Sequence, residues 1–320
     1  MLIIDQLITE INRKSSPIVV GLDPEVEHIP DFIKQEAVQN FGNTRRAAAE
    51  AIYRFNLEIL EEIHPLVPAV KLQMACYELF EAEGLEVFRR TVEKANALGL
   101  IVIDDSKRND IGHTASIYAR GHLGKTSLIE GETDVLKPDF LTINPYLGSD
   151  TISPFLSVCK ENNKGLFVLV RTSNPSAGEY QEATVQGIPL FQKIAHDIEL
   201  IGSPLQGEYG FSPIGAVVGA TWPEEAAELR GIMPSAYFLV PGYGAQGATG
   251  GHVTNAFNQE GYGALINSSR GIIYAFRDSE FNPNTDIPTG FAKASTLAVS
   301  AMRDDLLRSL RQAGKLPANW

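Results

Sequence analysis

The sequence predicts an α/β protein, a (β/α)8 barrel of the TIM type, from three observations. Short runs rich in β-branched residues alternate with helical patterns eight times along the 320 residues. Those runs are almost continuously apolar, as parallel strands covered on both faces are. Polar residues collect just past their C-terminal ends, the rim where such barrels place their chemistry. No G-x-G-x-x-G follows the first strand, where Gly21-Leu22-Asp23-Pro24 stands instead, so an open dinucleotide-binding sheet is the weaker reading. Length alone would allow two domains, but barrels of this size are often one. Residues 1–320 therefore read as a single barrel domain with an N-terminal helix and a long C-terminal helix.

The chain opens on an amphipathic helix, with Leu2, Ile3, Leu7, Ile8 and Ile11 on one face. It has no basic start, and Asp5 and Glu10 fall within its apolar pattern, so it does not read as a leader. The strands follow at 17–23, 68–73, 100–107, 140–144, 165–171, 215–221, 236–242 and 264–271. A helix is expected over 43–64, capped by Asn43 or Thr44, with others over 77–98 and 291–313. The glycine-rich region 242–263 is too short for an interdomain linker and reads as a mobile loop.

With 27 basic and 39 acidic residues the net charge is −12, which argues against a nucleic-acid or anionic-membrane surface. A local basic pocket for a small anion is still allowed. Two cysteines, Cys76 and Cys159, stand in no metal-ligand spacing and suit a reducing compartment. No apolar run approaches the length of a membrane span. A cytoplasmic protein is expected.

The chemistry centres on 100–114, LIVIDDSKRNDIGHT, in which an apolar strand runs into Asp105, Lys107 and Asp110. Alternation puts Asp105 and Lys107 on one face, and Asp110 follows after the strand has ended. Such a cluster is costly to desolvate, which argues for function over stability. The other strand ends supply Asp23, Lys71, Asn144, Ser173, Thr221, Gln246 and Arg270 to the same rim. Asp23, before Pro24, also suits a turn or helix cap. Gln246 and Arg270 follow strands seven and eight beside glycines, the usual phosphate site of these barrels. Arginine offers a planar fork for phosphate oxygens and glutamine a neutral donor. Lys71, Asp105, Lys107 and Asp110 form a neutral array in which both lysines should stay protonated. A substrate carboxylate pressed about 4 Å from Asp105 would meet a repulsion on the order of 4 kcal/mol at an effective dielectric near 20. Its loss as CO2 would relieve that repulsion, and Lys107 could stabilise and protonate the carbanion left behind. The six histidines show no paired metal spacing, and Ser173 has neither a nearby base nor a nucleophile elbow around it.

Together the D-x-K-x-x-D-I run 105–111, Lys71, the GLDP start, Ser173-Asn174-Pro175, the strand 217–221 and the PGYGAQG loop 241–247 resemble the orotidine 5′-phosphate decarboxylase family, in particular its longer bacterial subgroup. The resemblance spans nearly the whole chain. It implies decarboxylation of orotidine 5′-monophosphate to UMP, the last step of de novo pyrimidine synthesis, with no metal or organic cofactor. It also implies that Lys107 donates the proton at C6 and Asp105 crowds the carboxylate, while Lys71 and Asp23 hold the ribose hydroxyls. Ser173 would read the pyrimidine, with Gln246 and Arg270 gripping the phosphate and Tyr243 a further candidate there. Asp110, Ile111 and Thr114 would enter the partner's site, which implies a homodimer with shared active sites.

Two rival readings remain. A magnesium-dependent aldolase or decarboxylase on the same barrel would need an acidic ligand where strand two presents Lys71, and would fail with EDTA. A silent nucleotide-binding barrel would have no need to keep two carboxylates beside an anion site.

Overall fold

The computed structural model describes residues 1–244, 247–281 and 290–320. Eight parallel strands close into a barrel in chain order: β1 (Ile18–Leu22), β2 (Ala69–Leu72), β3 (Ile101–Arg108), β4 (Phe140–Ile143), β5 (Gly165–Arg171), β6 (Ser212–Val218), β7 (Ala236–Pro241) and β8 (Ala264–Ser268). Each predicted strand is present, shifted by at most a few residues at its ends. β8 returns to β1, pairing Ile266 with Ile18, so no edge is left open.

Side chains that alternate inward fill the barrel in layers. Val19, Ala69, Ile101, Phe140, Phe167, Tyr237 and Leu265 form its lower core. The N-terminal helix α1 (Ile3–Lys14) closes that end, burying Ile4, Leu7, Ile8 and Ile11 completely. Each such side chain contributes about 1.5–3 kcal/mol by leaving water. With α1 plugging the bottom, the barrel opens at its upper end. The second core lies between the strands and the outer helices, including α2 (Asp31–Phe41), α3 (Arg45–Ile63), α4 (Glu81–Ala97), α5 (Gly112–Leu123) and, at the C-terminus, α6 (Gly290–Gln312). Thr44 caps α3, its hydroxyl accepting the Ala47 N–H at 3.2 Å.

Two expectations need correction. The helix expected over 77–98 is broken into Ala75–Glu78 and α4, with Glu81 in the left-handed region at φ 55°. Tyr77 explains the break. Its buried hydroxyl donates to the Leu22 carbonyl at 3.1 Å and accepts from Asn56 at 2.9 Å, pinning the first turn to the end of β1. The glycine-rich stretch is not simply loop either. Gly250–Val253 is helical, Val253, Ala256 and Phe257 are buried, and the Gly250 N–H donates to Asp305 of α6 at 2.8 Å. A Cβ at Gly250 would lie 2.5 Å from Ser309 Oγ, so the glycine permits this close approach.

Candidate active site

At the open end lies a cavity of about 600 Å³, lined by Asp23, Lys71, Asp105, Lys107, Ser173 and Arg270 among others. The polar half of its floor comes from β1 to β4. Lys71 is buried and places Nζ 2.8 Å from Asp105 Oδ2 and 3.4 Å from Asp23 Oδ1. Lys107 approaches the other oxygen of Asp105 at 2.7 Å, and its side chain is 42% exposed to the cavity. Thr142, fully buried on β4, donates its hydroxyl to the same Asp105 Oδ1 at 2.9 Å. Gln73 adds a donor at 3.3 Å to Oδ2. Asp105 is thus an anion held by two ammoniums and two neutral donors.

The electrostatics follow from that geometry. Burial alone would push the Asp105 carboxyl up, but Lys71 and Lys107 overturn this and hold it well below the usual carboxylate range. Burial likewise works against the Lys71 ammonium, yet Asp105 and Asp23 hold it above the usual lysine range. Asp105 is therefore charged at neutral pH, and so is Lys71.

Simple alternation does not produce this arrangement. Between Asp104 and Arg108 the register of β3 shifts against β4, a bulge that places 105–107 opposite Thr142. Lys107 sits in it at φ 51°, a left-handed conformation unfavourable for a residue with a side chain. Its N–H donates to Thr142 Oγ1 at 2.9 Å. On β1, Gly21 lets β8 come close, since a Cβ there would meet Ser269 Oγ at 1.8 Å. Ser269 uses this approach to donate to Asp23 Oδ2 at 2.7 Å.

The remaining wall is apolar, from Leu169, Val217, Leu239 and Pro241. Ser173 borders it, and Arg270 stands exposed at the rim, with no ion-pair partner among the described residues. Gln246 lies outside the described residues. Tyr243 lines the cavity, but its hydroxyl is committed to Asp305 at 2.8 Å, and burial followed by that carboxylate pushes its phenol up. Cys76 also borders the cavity, where burial and then Asp23 push its thiol up to about 11.

Asp110 does not join the array. It lies beyond the cavity lining and accepts from the Ile111 N–H at 2.7 Å, while Ile111 and Thr114 are exposed at the start of α5. Its place in the cluster is taken by Asp23. Asn144 holds the following turn, accepting the Tyr146 N–H at 3.0 Å, and Thr221 lies outside the cavity. The sequence reading missed Thr142, Gln73, Ser269 and Asn267. Thr142 and Asn267 were legible as the polar interruptions in FLTI and ALINS. Asn267 is 7% exposed, faces the cavity, and has no partner for Oδ1 among the described residues. No group of three His, Cys, Asp or Glu among the described residues could hold a metal ion.

A closed barrel whose mouth combines a Lys–Asp–Lys array with an exposed arginine at the β8 rim defines a class of enzyme sites for small anionic substrates. Comparison with known proteins narrows this class. Residues 16–280 match the model of the orotidine 5′-phosphate decarboxylase / HUMPS family, and the chain belongs to that family. Among its relatives, the orotidine 5′-phosphate decarboxylase of Rhodopirellula baltica is 41% identical over 282 residues, covering 88% of this chain and 91% of the relative. That of Petrotoga mobilis is 40% identical over 307 residues, covering 95% and 98%. The solved structure of Leishmania donovani OMP decarboxylase superposes with a TM-score of 0.67 at 27% identity, covering 95% of this chain and 99% of that one.

Proposed function

We propose that this chain converts orotidine 5′-monophosphate to UMP and CO2, using Lys107 as the proton donor and Asp105 as the group that destabilises the bound carboxylate. Family membership supports a carboxy-lyase acting on this nucleotide in pyrimidine synthesis. The observation that carries the mechanism is the fixed Asp105 anion between two ammoniums on the cavity floor, with Arg270 across the rim.

The phosphate docks at Arg270, and Gln246 completes its grip. Ser173 reads the base, Asp23 and Lys71 hold the ribose, and Asn267 offers the nucleoside a buried amide. Phosphate binding energy then drives the substrate carboxylate toward Asp105, which stays ionised and repels it. When the C6–carboxylate bond breaks, its electron pair remains on C6 beside the Lys107 ammonium. Lys107 passes its proton to C6 and is reprotonated from solvent through its exposed side. No metal or organic cofactor takes part in this scheme.

A homodimer completes the site. Asp110, Ile111 and Thr114 do not line their own cavity, and Ile111, Ile117 and Tyr118 expose apolar surface at the start of α5 and along it. A second copy would cover that face and receive Asp110 at its cavity. We further read residues 1–320 as one domain acting in the cytoplasm. Both cysteines are free, and no helix among the described residues is long and apolar enough to cross a membrane.

The test follows orotidylate by ultraviolet absorbance, with and without chelator. Wild type should turn the nucleotide over equally in both, and Lys107→Ala should be folded but inactive. Near-normal turnover by Lys107→Ala would remove the proton-donor assignment, and loss of wild-type activity with chelator would remove the metal-free mechanism.

A further inference from the structure

β3 carries a second polar network on the face turned away from the cavity. Asp105 and Lys107 point in, while Asp104, Ser106 and Arg108 point out toward α5. Asp104 is fully buried, and one of its oxygens takes the Ser106 hydroxyl. The other meets Nδ1 of His122, itself buried on α5, at 2.6 Å. The second ring nitrogen, Nε2, lies 3.2 Å from Arg108 Nε, which can only donate. In this arrangement the imidazole accepts from Arg108 at Nε2 and donates to Asp104 from Nδ1. Arg108 continues outward to Glu78 and lies over the Tyr118 ring, 5.8 Å from its centre.

Residues 104, 106 and 108 flank Lys107 on both sides, and each is tied into this chain. Lys107 holds a left-handed backbone that disfavours a side chain, at a bulge where the β3–β4 ladder is interrupted. Such a conformation persists only where its surroundings over-determine it. From inside the barrel, one bond, Lys107 N–H to Thr142, does so. From outside, the Asp104–His122–Arg108 chain clamps the residues on either side.

We propose that Asp104, His122 and Arg108 are positioning residues for Lys107, setting the placement of its ammonium against the reacting carbon without touching substrate. This rests on the decarboxylase reading above. The clamp adds no group to the ribose, base or phosphate contacts, so its loss falls on the chemical step and spares binding.

The experiment measures kcat and KM for orotidylate, the Kd of UMP, and hydrogen exchange of the peptide spanning residues 101–111, in wild type and three variants. His122→Phe removes both ring bonds. Its kcat should fall about 10- to 100-fold, the scale expected of a displacement near 1 Å in a reacting group. KM and the UMP Kd should stay within about threefold of wild type, and the Lys107 region should exchange faster. His122→Asn, which can still donate to Asp104, should recover part of kcat. Arg108→Met opens the same chain at its quarter-exposed end and stands in should His122→Phe fail to fold. A folded His122→Phe or Arg108→Met with unchanged kcat overturns the proposal, as does an equal loss in kcat and UMP affinity. If wild type itself fails to turn over orotidylate, the functional reading falls, and unchanged exchange around Lys107 in the variants would then separately overturn the clamp.

Discussion

Replacing Lys71 with methionine tests the electrostatic core of the site most directly. The ammonium lies 2.8 Å from Asp105 and 3.4 Å from Asp23. At an effective dielectric near 20 these separations correspond to gross attractions of roughly 6 and 5 kcal/mol. Most of that is offset by desolvation of the ions, so the measurable quantity is the penalty of leaving a buried carboxylate short of a partner, about 3–5 kcal/mol. Lys107 and Thr142 still hold Asp105 in the variant, which favours the lower end. A loss near 3 kcal/mol is large against a total stability of about 5–15 kcal/mol, but leaves a folded protein to measure. Urea unfolding across pH supplies the assay. Asp105 has a depressed folded pKa, so its contribution is present above the unfolded value near 3.9 and lost as pH falls below it. Without Lys71 that depression shrinks, and the variant's carboxyl protonates earlier, shedding its uncompensated charge. Lys71 has a raised folded pKa, so its contribution is complete below about pH 10.4 and lost as pH climbs through the folded value. The gap between wild type and Lys71→Met should therefore be widest from about pH 5 to 9 and narrow on both sides. A loss under about 1 kcal/mol at pH 7, or a gap that stays constant down to pH 3, would refute the reasoning.

Two further substitutions separate binding from chemistry. Arg270→Ala should leave stability within about 0.5 kcal/mol, because the side chain is exposed and has no ion-pair partner among the described residues. It should raise KM about 10- to 150-fold through loss of a charge-assisted bond to phosphate, and an unchanged KM would place the phosphate elsewhere. Thr142→Val removes the donor to Asp105 and the acceptor of the Lys107 N–H at almost constant volume, and should cost about 1–3 kcal/mol by urea unfolding. Its kcat should fall more than its KM rises. Equal changes in the two would mean that Thr142 serves the floor as a whole and not Lys107.

Most of the barrel was legible because the barrel strands are buried on both faces and therefore spell themselves as apolar runs. The rim was legible for the same reason: a charge ending such a run has few structural excuses. What escaped was set by distant partners. Nothing local in 77–98 shows that the Tyr77 hydroxyl will bond the end of β1 and break the helix. The glycines before α6 look like loop until Asp305 and Ser309, some 55 residues on, require a close approach. Asp110 was grouped with its motif neighbours by spacing, but the bulge and the turn after β3 carry it out of its own cavity. Thr142 was passed over because a threonine in a strand is ordinary, and only its register opposite the bulge makes it the residue that touches both Asp105 and Lys107.

The bulge in β3 links the charged array to the polar network on the outer face of the barrel. An unbroken β strand would place Asp105 and Lys107 on one face, but extended backbone at Lys107 would keep the ladder with β4 running past them. Two extra residues in β3 break that ladder opposite Thr142, freeing one hydroxyl to bond the Asp105 carboxylate and the Lys107 amide together. The price is a left-handed lysine, held from within by that hydroxyl and from without by groups on the opposite face of the same strand. The D-x-K spacing thus has a physical reading beyond alternation. The intervening Ser106 is turned outward and bonds Asp104, so the residue that separates acid from base also ties their strand to the helix behind it.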